Sequence, residues 1–211
     1  MKYFLILAII LITISTIHAQ NTGFTGKWLL VKEQSISGIK TPYYMSCFKN
    51  SHVWEVQGMP IGYWETDKPG RLLTLKSNYF TGMVGTYVVE KISSDSLITL
   101  RDSVKRYYVK LKQNEINTSN KMINIDGSWK VTQGANGVTL KFSSPDNLTV
   151  ITSKKGKTTS KQSHWIYDSQ NNAIIIYGMS NLMRGKYEIK DLSDKKLILE
   201  NNNKVFIATK E

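Results

Sequence analysis

Apolar and β-branched residues recur along this chain in blocks of three to six, interleaved with polar residues and separated by turn-forming clusters. A first set lies at 28–33, 43–45, 53–56, 61–66, 72–75, 85–89, 96–100 and 106–111. A second lies at 129–132, 138–142, 148–152, 164–167, 173–177, 186–190, 196–199 and 205–208. Short blocks with a two-residue period predict strands with one buried face. Beyond the N-terminal segment, no stretch keeps an amphipathic helical period for three turns, so the expected fold class is all-β.

The two sets are copies of one plan. Gly26-Lys27-Trp28 recurs as Gly127-Ser128-Trp129, a hundred and one residues later. Trp64, Leu73 and Leu75 meet Trp165, Ile174 and Ile176 at the same offset, and Gly85-Thr86-Tyr87 meets Gly185-Lys186-Tyr187 one residue short of it. At the ends, 106–109 is set against 204–207. Four anchors in the same order make a tandem repeat. Eight short strands per copy predict two small antiparallel up-and-down barrels, because pairing the first strand with the last removes exposed edges. Pro69-Gly70 between two strand blocks predicts a hairpin turn, with Pro at the first corner and Gly at the second. The polar segment 113–121 is expected to be a linker between units at 20–112 and 122–211.

The first nineteen residues carry Lys2, an apolar run from Phe4 through Ile12 and Ala19 before Gln20, which describes a cleaved signal peptide. The expected location is therefore secreted or periplasmic. The run is too short for a convincing membrane span, and the strand blocks fall short of the roughly nine to eleven residues that a membrane barrel needs. Cys47 is the single cysteine, so no internal disulfide is available and apolar burial must hold the fold. The net charge is +12, spread through both halves apart from a cluster at Lys154, Lys155, Lys157 and Lys161. That distribution, without a stripe of interleaved aromatics, argues against nucleic acid and leaves weak attraction to anionic surfaces.

A Gly-x-Trp on the first strand followed by about eight antiparallel strands resembles the lipocalin (calycin) pattern, in particular the small lipocalin-like domains of secreted bacterial proteins. The resemblance spans nearly all the chain after residue 19. It implies that Trp28 and Trp129, introduced by Gly26 and Gly127, each close one end of a barrel. It also implies a basic residue from near the last strand over each indole: Arg106 over Trp28 and Lys204 over Trp129. A cation above an indole gains about 0.5–2 kcal/mol. The family's Thr-Asp-Tyr signature is absent, and each half is shorter than a typical lipocalin.

Candidate chemistry is sparse. No His-x-x-x-His, Cys-x-x-Cys or Asp-rich loop offers metal-ligand spacing, so neither metal nor cofactor is expected. His52 and His164 do not occupy matching positions, Cys47 lacks a nucleophile's signature, and Asp67, beside Glu65, has a turn role. No enzyme is expected. Tyr43, Tyr44, Trp54, Tyr63 and Trp64 in the first half, with Trp165, Tyr167 and Tyr177 in the second, are the candidates to line a site for a small apolar or amphipathic ligand. The competing reading is that they fill two small cores. The alternative function is a protein- or glycan-interaction or inhibitor module that uses barrel-end loops such as 35–42. With three tryptophans against two, the first half is the place to look for a cavity.

Overall fold

The computed structural model of the protein describes residues 23–211 apart from Phe80, Met179 and Asn203; the expected signal peptide lies outside them. The first half forms β1 (Gly26–Ser35), β2 (Gly38–Lys40), β3 (Tyr44–Phe48), β4 (Val53–Val56), β5 (Met59–Thr66), β6 (Leu72–Lys76), β7 (Gly85–Ile92), β8 (Ser96–Arg101) and β9 (Val104–Leu111). A helix, α1 (Gln113–Asn120), follows. The second half forms β10 (Gly127–Gln133), β11 (Val138–Ser143), β12 (Asn147–Lys154), β13 (Lys157–Asp168), β14 (Ala173–Gly178), β15 (Gly185–Leu192), β16 (Lys196–Asn201) and β17 (Lys204–Lys210).

Both sets close on themselves. In the first, neighbours run β1-β3-β4-β5-β6-β7-β8-β9 and β9 returns to β1; β2 is an arm hydrogen-bonded to the outer end of β1, with Glu33 opposite Lys40 and Ser35 opposite Gly38. In the second, β10 through β17 form a closed barrel in chain order, shut by Trp129 opposite Lys210 and Val131 opposite Ala208. The fold is thus all-β, two antiparallel eight-stranded barrels in tandem. The chain divides into two compact units built on these rings, and the segment Thr41–Tyr44 groups with the second.

The strands bend where the ring requires it. The β7–β8 register shifts between Val89 and Lys91, and the β15–β16 register shifts between Ile189 and Asp191, the same place in each copy. An extra residue on one strand raises local twist and lets a short strand turn the corner of a barrel. The turn that follows is also copied. Ser93 N–H donates to Ser96 O at 2.8 Å and Ser193 N–H to Lys196 O at 2.9 Å. Lys110 N–H reaches Asp95 O at 2.8 Å and Lys210 N–H reaches Lys195 O at 3.1 Å.

These registers correct the expected alignment of the last strands. Tyr108 stands opposite Leu97 and Ala208 opposite Leu197, so β9 and β17 correspond at an offset of one hundred, and Arg106 matches Phe206 instead of Lys204. The Pro69-Gly70 turn is likewise adjusted. Gly70 N–H closes on Asp67 O at 2.7 Å, so Lys68 and Pro69 are the corners and Gly70, at φ +82°, follows them. Asp67 also accepts the Leu72 N–H, which is its turn role.

Segment 113–121, expected as a linker, is largely helical, although its one apolar residue, Ile116, gives it almost no apolar face. Side-chain hydrogen bonds to β13 and to the turn before β12 hold it in place. Asn120 donates to Pro145 O at 2.7 Å and to Trp165 O at 3.1 Å, and accepts the Tyr167 N–H at 2.7 Å. Ser119 donates to Tyr167 O. No described helix is long and apolar enough to cross a membrane.

Candidate ligand site in the first barrel

Each barrel has one end shut by the repeated phrase. Trp28 and Trp129 are fully buried, and each indole N–H donates to the carbonyl four residues back: Phe24 O at 2.6 Å and Ile125 O at 2.7 Å. The glycine two residues before each indole has φ near +129° or +125°. A lysine from the last strand crosses that glycine, and a Cβ there would stand 2.8 Å from the Lys110 or Lys210 Cε. The cations over the indoles are therefore Lys110, with Nζ at 4.9 Å from the Trp28 ring, and Lys210, at 5.1 Å from Trp129. This corrects the expectation of Arg106 and Lys204. Both lie toward the opposite ends of their strands, where Arg106 covers Tyr87 and Lys204 covers Phe206.

The structure does not gather the candidate aromatics around one hollow. Trp54, Trp64 and Trp165 are core residues, at most 2% exposed. The Trp64 indole donates to Lys49 O at 2.9 Å and stacks with His52, while Trp165 meets Phe142 edge-on at 5.6 Å. Tyr43 is buried and Tyr44 half-buried in or beside the segment that groups with the second unit. Tyr63 is 65% exposed and lines a hollow of about 380 Å³ on the outer face with Val53, Lys76 and Tyr79. Tyr167 is half-buried and donates to Asn172 Oδ1 at 3.1 Å. Tyr177 is buried against His164 at 5.5 Å, and burial pushes its phenol well up.

The other candidate groups have local roles. His164 Nδ1 stands 3.6 Å from the Asp146 carboxylate, and His52 Nδ1 lies 3.1 Å from Trp64 O. Glu65 pairs with Lys76 at 2.6 Å on the surface. Burial first, and then the Glu55 charge, raises the half-buried Cys47 thiol, which disfavours the nucleophilic thiolate. Among the described residues no group of three His, Cys, Asp or Glu side chains is placed to hold a metal ion. Of the lysine cluster, Lys154, Lys155 and Lys161 rim two adjoining surface hollows at the open end of the second barrel, about 430 and 590 Å³, with Leu182 between them.

What separates the barrels is the interior of the half away from the closing tryptophan. In the second barrel it is apolar: Phe206 packs edge-to-face on Tyr187 at 5.6 Å, with Leu199, Ala208 and Val131 in the same core. Gly134 leaves room for the Phe206 ring, whose Cδ1 would lie 3.0 Å from an added Cβ. At the positions matching Gly134, Leu199, Phe206 and Ala208 the first barrel has Glu33, Thr99, Arg106 and Tyr108, while Val131 and Tyr187 are matched by the buried Leu30 and Tyr87. Arg106 Nε donates to Glu33 Oε1 at 2.8 Å, and the guanidinium lies 5.4 Å from the Tyr87 ring centre. Arg101 approaches the same ring at 5.4 Å, donates to Val84 O, and pairs with the exposed Asp102 at 2.9 Å. Tyr108 is buried beside the Thr99 hydroxyl, and desolvation raises its phenol far above the ordinary range.

Several polar atoms of this half are buried without a protein partner: Arg106 Nη1, Ser46 Oγ, and both amide atoms of Gln57. Gln57 sits in the β4–β5 turn at φ +53°, at the same end of the barrel. A buried donor left unbonded costs about 1–3 kcal/mol, and more when charged. None of these residues carries a sequence motif. What could have marked them is the comparison of the two copies, where charged and hydroxyl residues replace apolar ones at inward positions, and the misaligned last strand concealed it.

No protein-family model matches the chain, and no curated protein matches it. Among solved structures it is similar to a lipocalin-like protein from Bacteroides uniformis ATCC 8492, at 18% identity and a TM-score of 0.30, covering 42% of this chain and 99% of that one. With a likeness that low, the fold rests on the strand pairing described above.

Proposed function

We propose that the protein is a non-enzymatic extracytoplasmic binding protein, and that its first barrel takes up a small amphipathic molecule while the second is a filled companion. The observation that carries this reading is the contrast between two copies of one scaffold. The second is packed with apolar side chains through the half where the first keeps an ion pair and unpartnered polar atoms. A core under selection for stability alone tends toward the apolar packing of the second barrel, since replacing a buried ion pair by well-packed apolar residues is often neutral or stabilising. Retained buried polarity next to apolar walls is the character of a ligand pocket. Export follows from the N-terminal segment read as a signal peptide.

Tryptophan fluorescence of the full chain, titrated with a panel of fatty acids, fatty alcohols and aromatic compounds, tests the reading. Trp54 and Trp64 stand on the first barrel's wall, so a saturable change is expected for at least one amphipathic compound. No response at saturation would reject the binding protein and favour a second reading, an interaction module. One observation supports that second reading: the β1–β2 arm presents Ile36 at 98% and Ile39 at 64% exposure. Ile36→Ser with Ile39→Ser would then abolish capture of a partner and leave small-molecule titrations unchanged.

A further inference from the structure

We propose that the rim at the open end of the second barrel binds a linear anionic polysaccharide, one that carries carboxylates or sulfates on its sugar rings. The inside of this barrel is filled by its own core, so only its rim and outer surface are left to meet a partner. That rim is built differently from its counterpart. Val53 opposite Tyr63 in the first barrel corresponds to Asn147 opposite His164 in the second. From there the β4–β5 hairpin closes at Val56 opposite Met59, whereas β12–β13 runs on to Lys154 opposite Lys157. The same kind of turn ends both, with Gln57 and Gly58 or Lys155 and Gly156 at positive φ. The longer hairpin is thus an addition to the shared plan, and the barrel closes without it.

Register fixes what the addition presents. Leu148 and Val150, buried in the core, share a face with Thr152 and Lys154 farther along β12, because side chains alternate along a strand. Opposite Val150, Thr152 and Lys154 stand Lys161, Thr159 and Lys157, all exposed. The inward face therefore turns from apolar to hydroxyl and cationic as it passes beyond the core. The two adjoining hollows meet here, sharing Thr152 and Leu182; Lys154, Lys155, Lys161 and Lys204 line them, and no Asp or Glu does. The ion pairs described in this barrel use other lysines, Lys186, Lys190 and Lys196. An ammonium has three donors and no acceptor, so it selects a partner rich in lone pairs and negative charge. Each exposed lysine contributes little alone, so the occupant must engage several at once, as a chain with a charge on successive rings does. A bilayer suits the site less, since the surface is concave and Leu182 is the one large apolar side chain exposed among the described lining residues. Sugar hydroxyls, by contrast, can be met by Thr152, Thr159 and the exposed Asn181. Nothing in this site draws on the first barrel, so failure of the fluorescence titrations leaves it standing.

Calorimetric titration of the full chain with polygalacturonate, dextran sulfate and neutral dextran tests the assignment. Saturable binding is expected to at least one of the two anionic polymers, the tighter of them naming the anionic group, with none to dextran. Added salt should weaken it. Lys154→Gln with Lys155→Gln and Lys161→Gln is expected to weaken that binding about tenfold, roughly a factor of two for each exposed charge. Removing the same charge from the first barrel, by Lys40→Gln with Lys68→Gln and Lys91→Gln, should leave it within about twofold, because distant exposed charges are screened. All six side chains are exposed, so both variants are expected to fold, with the thermal midpoint as the check. Binding untouched by the first set, or weakened equally by both, would make net charge responsible and overturn the site. Silence toward both anionic polymers overturns it as well. Capture by phosphatidylglycerol vesicles without binding to either polymer would assign the rim to a lipid surface instead.

Discussion

Gly127 holds φ at +125°, a conformation that L side chains rarely adopt, and a Cβ there would stand 2.8 Å from Lys210 Cε. Gly127→Ala is therefore expected to cost about 1–3 kcal/mol from backbone strain, read as a lower midpoint in chemical denaturation. Lys210→Met tests the cation assignment and should cost about 0.5–1 kcal/mol, the range of an exposed cation–π contact. Tyr187 offers a pH-dependent test. Burial pushes its phenol up to about 12 from the ordinary 10. Below pH 10 the group is protonated folded or unfolded, and its contribution to stability is full. Between pH 10 and 12 the unfolded chain ionises first, and stability falls by about 1.4 kcal/mol per pH unit for each such group. Tyr187→Phe should flatten that loss, as measured by denaturation at pH 9 and pH 11. The residue scale was only partly legible in the sequence. Gly26, Trp28, Gly127 and Trp129 announce themselves by repetition, but which lysine covers which indole depends on how far each last strand runs past it, and Arg106 and Lys204 stand at the other ends of the strands that carry Lys110 and Lys210.

Among the elements, α1 shows where periodicity has nothing to report. Its sequence, Gln-Asn-Glu-Ile-Asn-Thr-Ser-Asn, is polar throughout except for Ile116, so the pattern that signals a helix is missing. The helix is tied to the barrel by Asn120, which meets Pro145 O, Trp165 O and the Tyr167 N–H, together with Ser119 and the buried Ile116. Asn120→Ala leaves those groups, two of them carbonyls, without their partner, and should cost about 2–3 kcal/mol given about 1 kcal/mol per net hydrogen bond. A denaturant titration measures that cost, and a change below 0.5 kcal/mol, the scale of an ordinary surface substitution, would mean that the helix is not held this way. The strands were read more faithfully than the helix, because alternation along a half-buried strand is written in the residues themselves. Their ends were not: β13 begins at Lys157, seven residues before the block at 164–167, since Lys157, Thr158 and Thr159 pair with β12 as an exposed polar hairpin that no burial pattern marks.

At the level of the whole molecule the two barrels differ in how they spend their interiors, and stability should differ accordingly. Hydrogen exchange on the full chain is expected to be slower for β14 and β16, which border the continuous apolar core of the second barrel, than for β9 around Arg106. Equal protection would indicate that the polar half of the first barrel is as tightly closed as its copy. The sequence by itself determined that the chain is built of short half-buried strands, that they come in two copies, and that each copy carries one closing indole, because side-chain alternation and repetition are local properties that survive without coordinates. Only the tertiary structure decided that both rings close, which lysine lies on which indole, and that Glu33, Arg106 and Tyr87 meet inside one barrel and not the other. Those are contacts between strands distant along the chain, fixed by register and bulges, and a one- or two-residue shift in either changes every neighbour a side chain has.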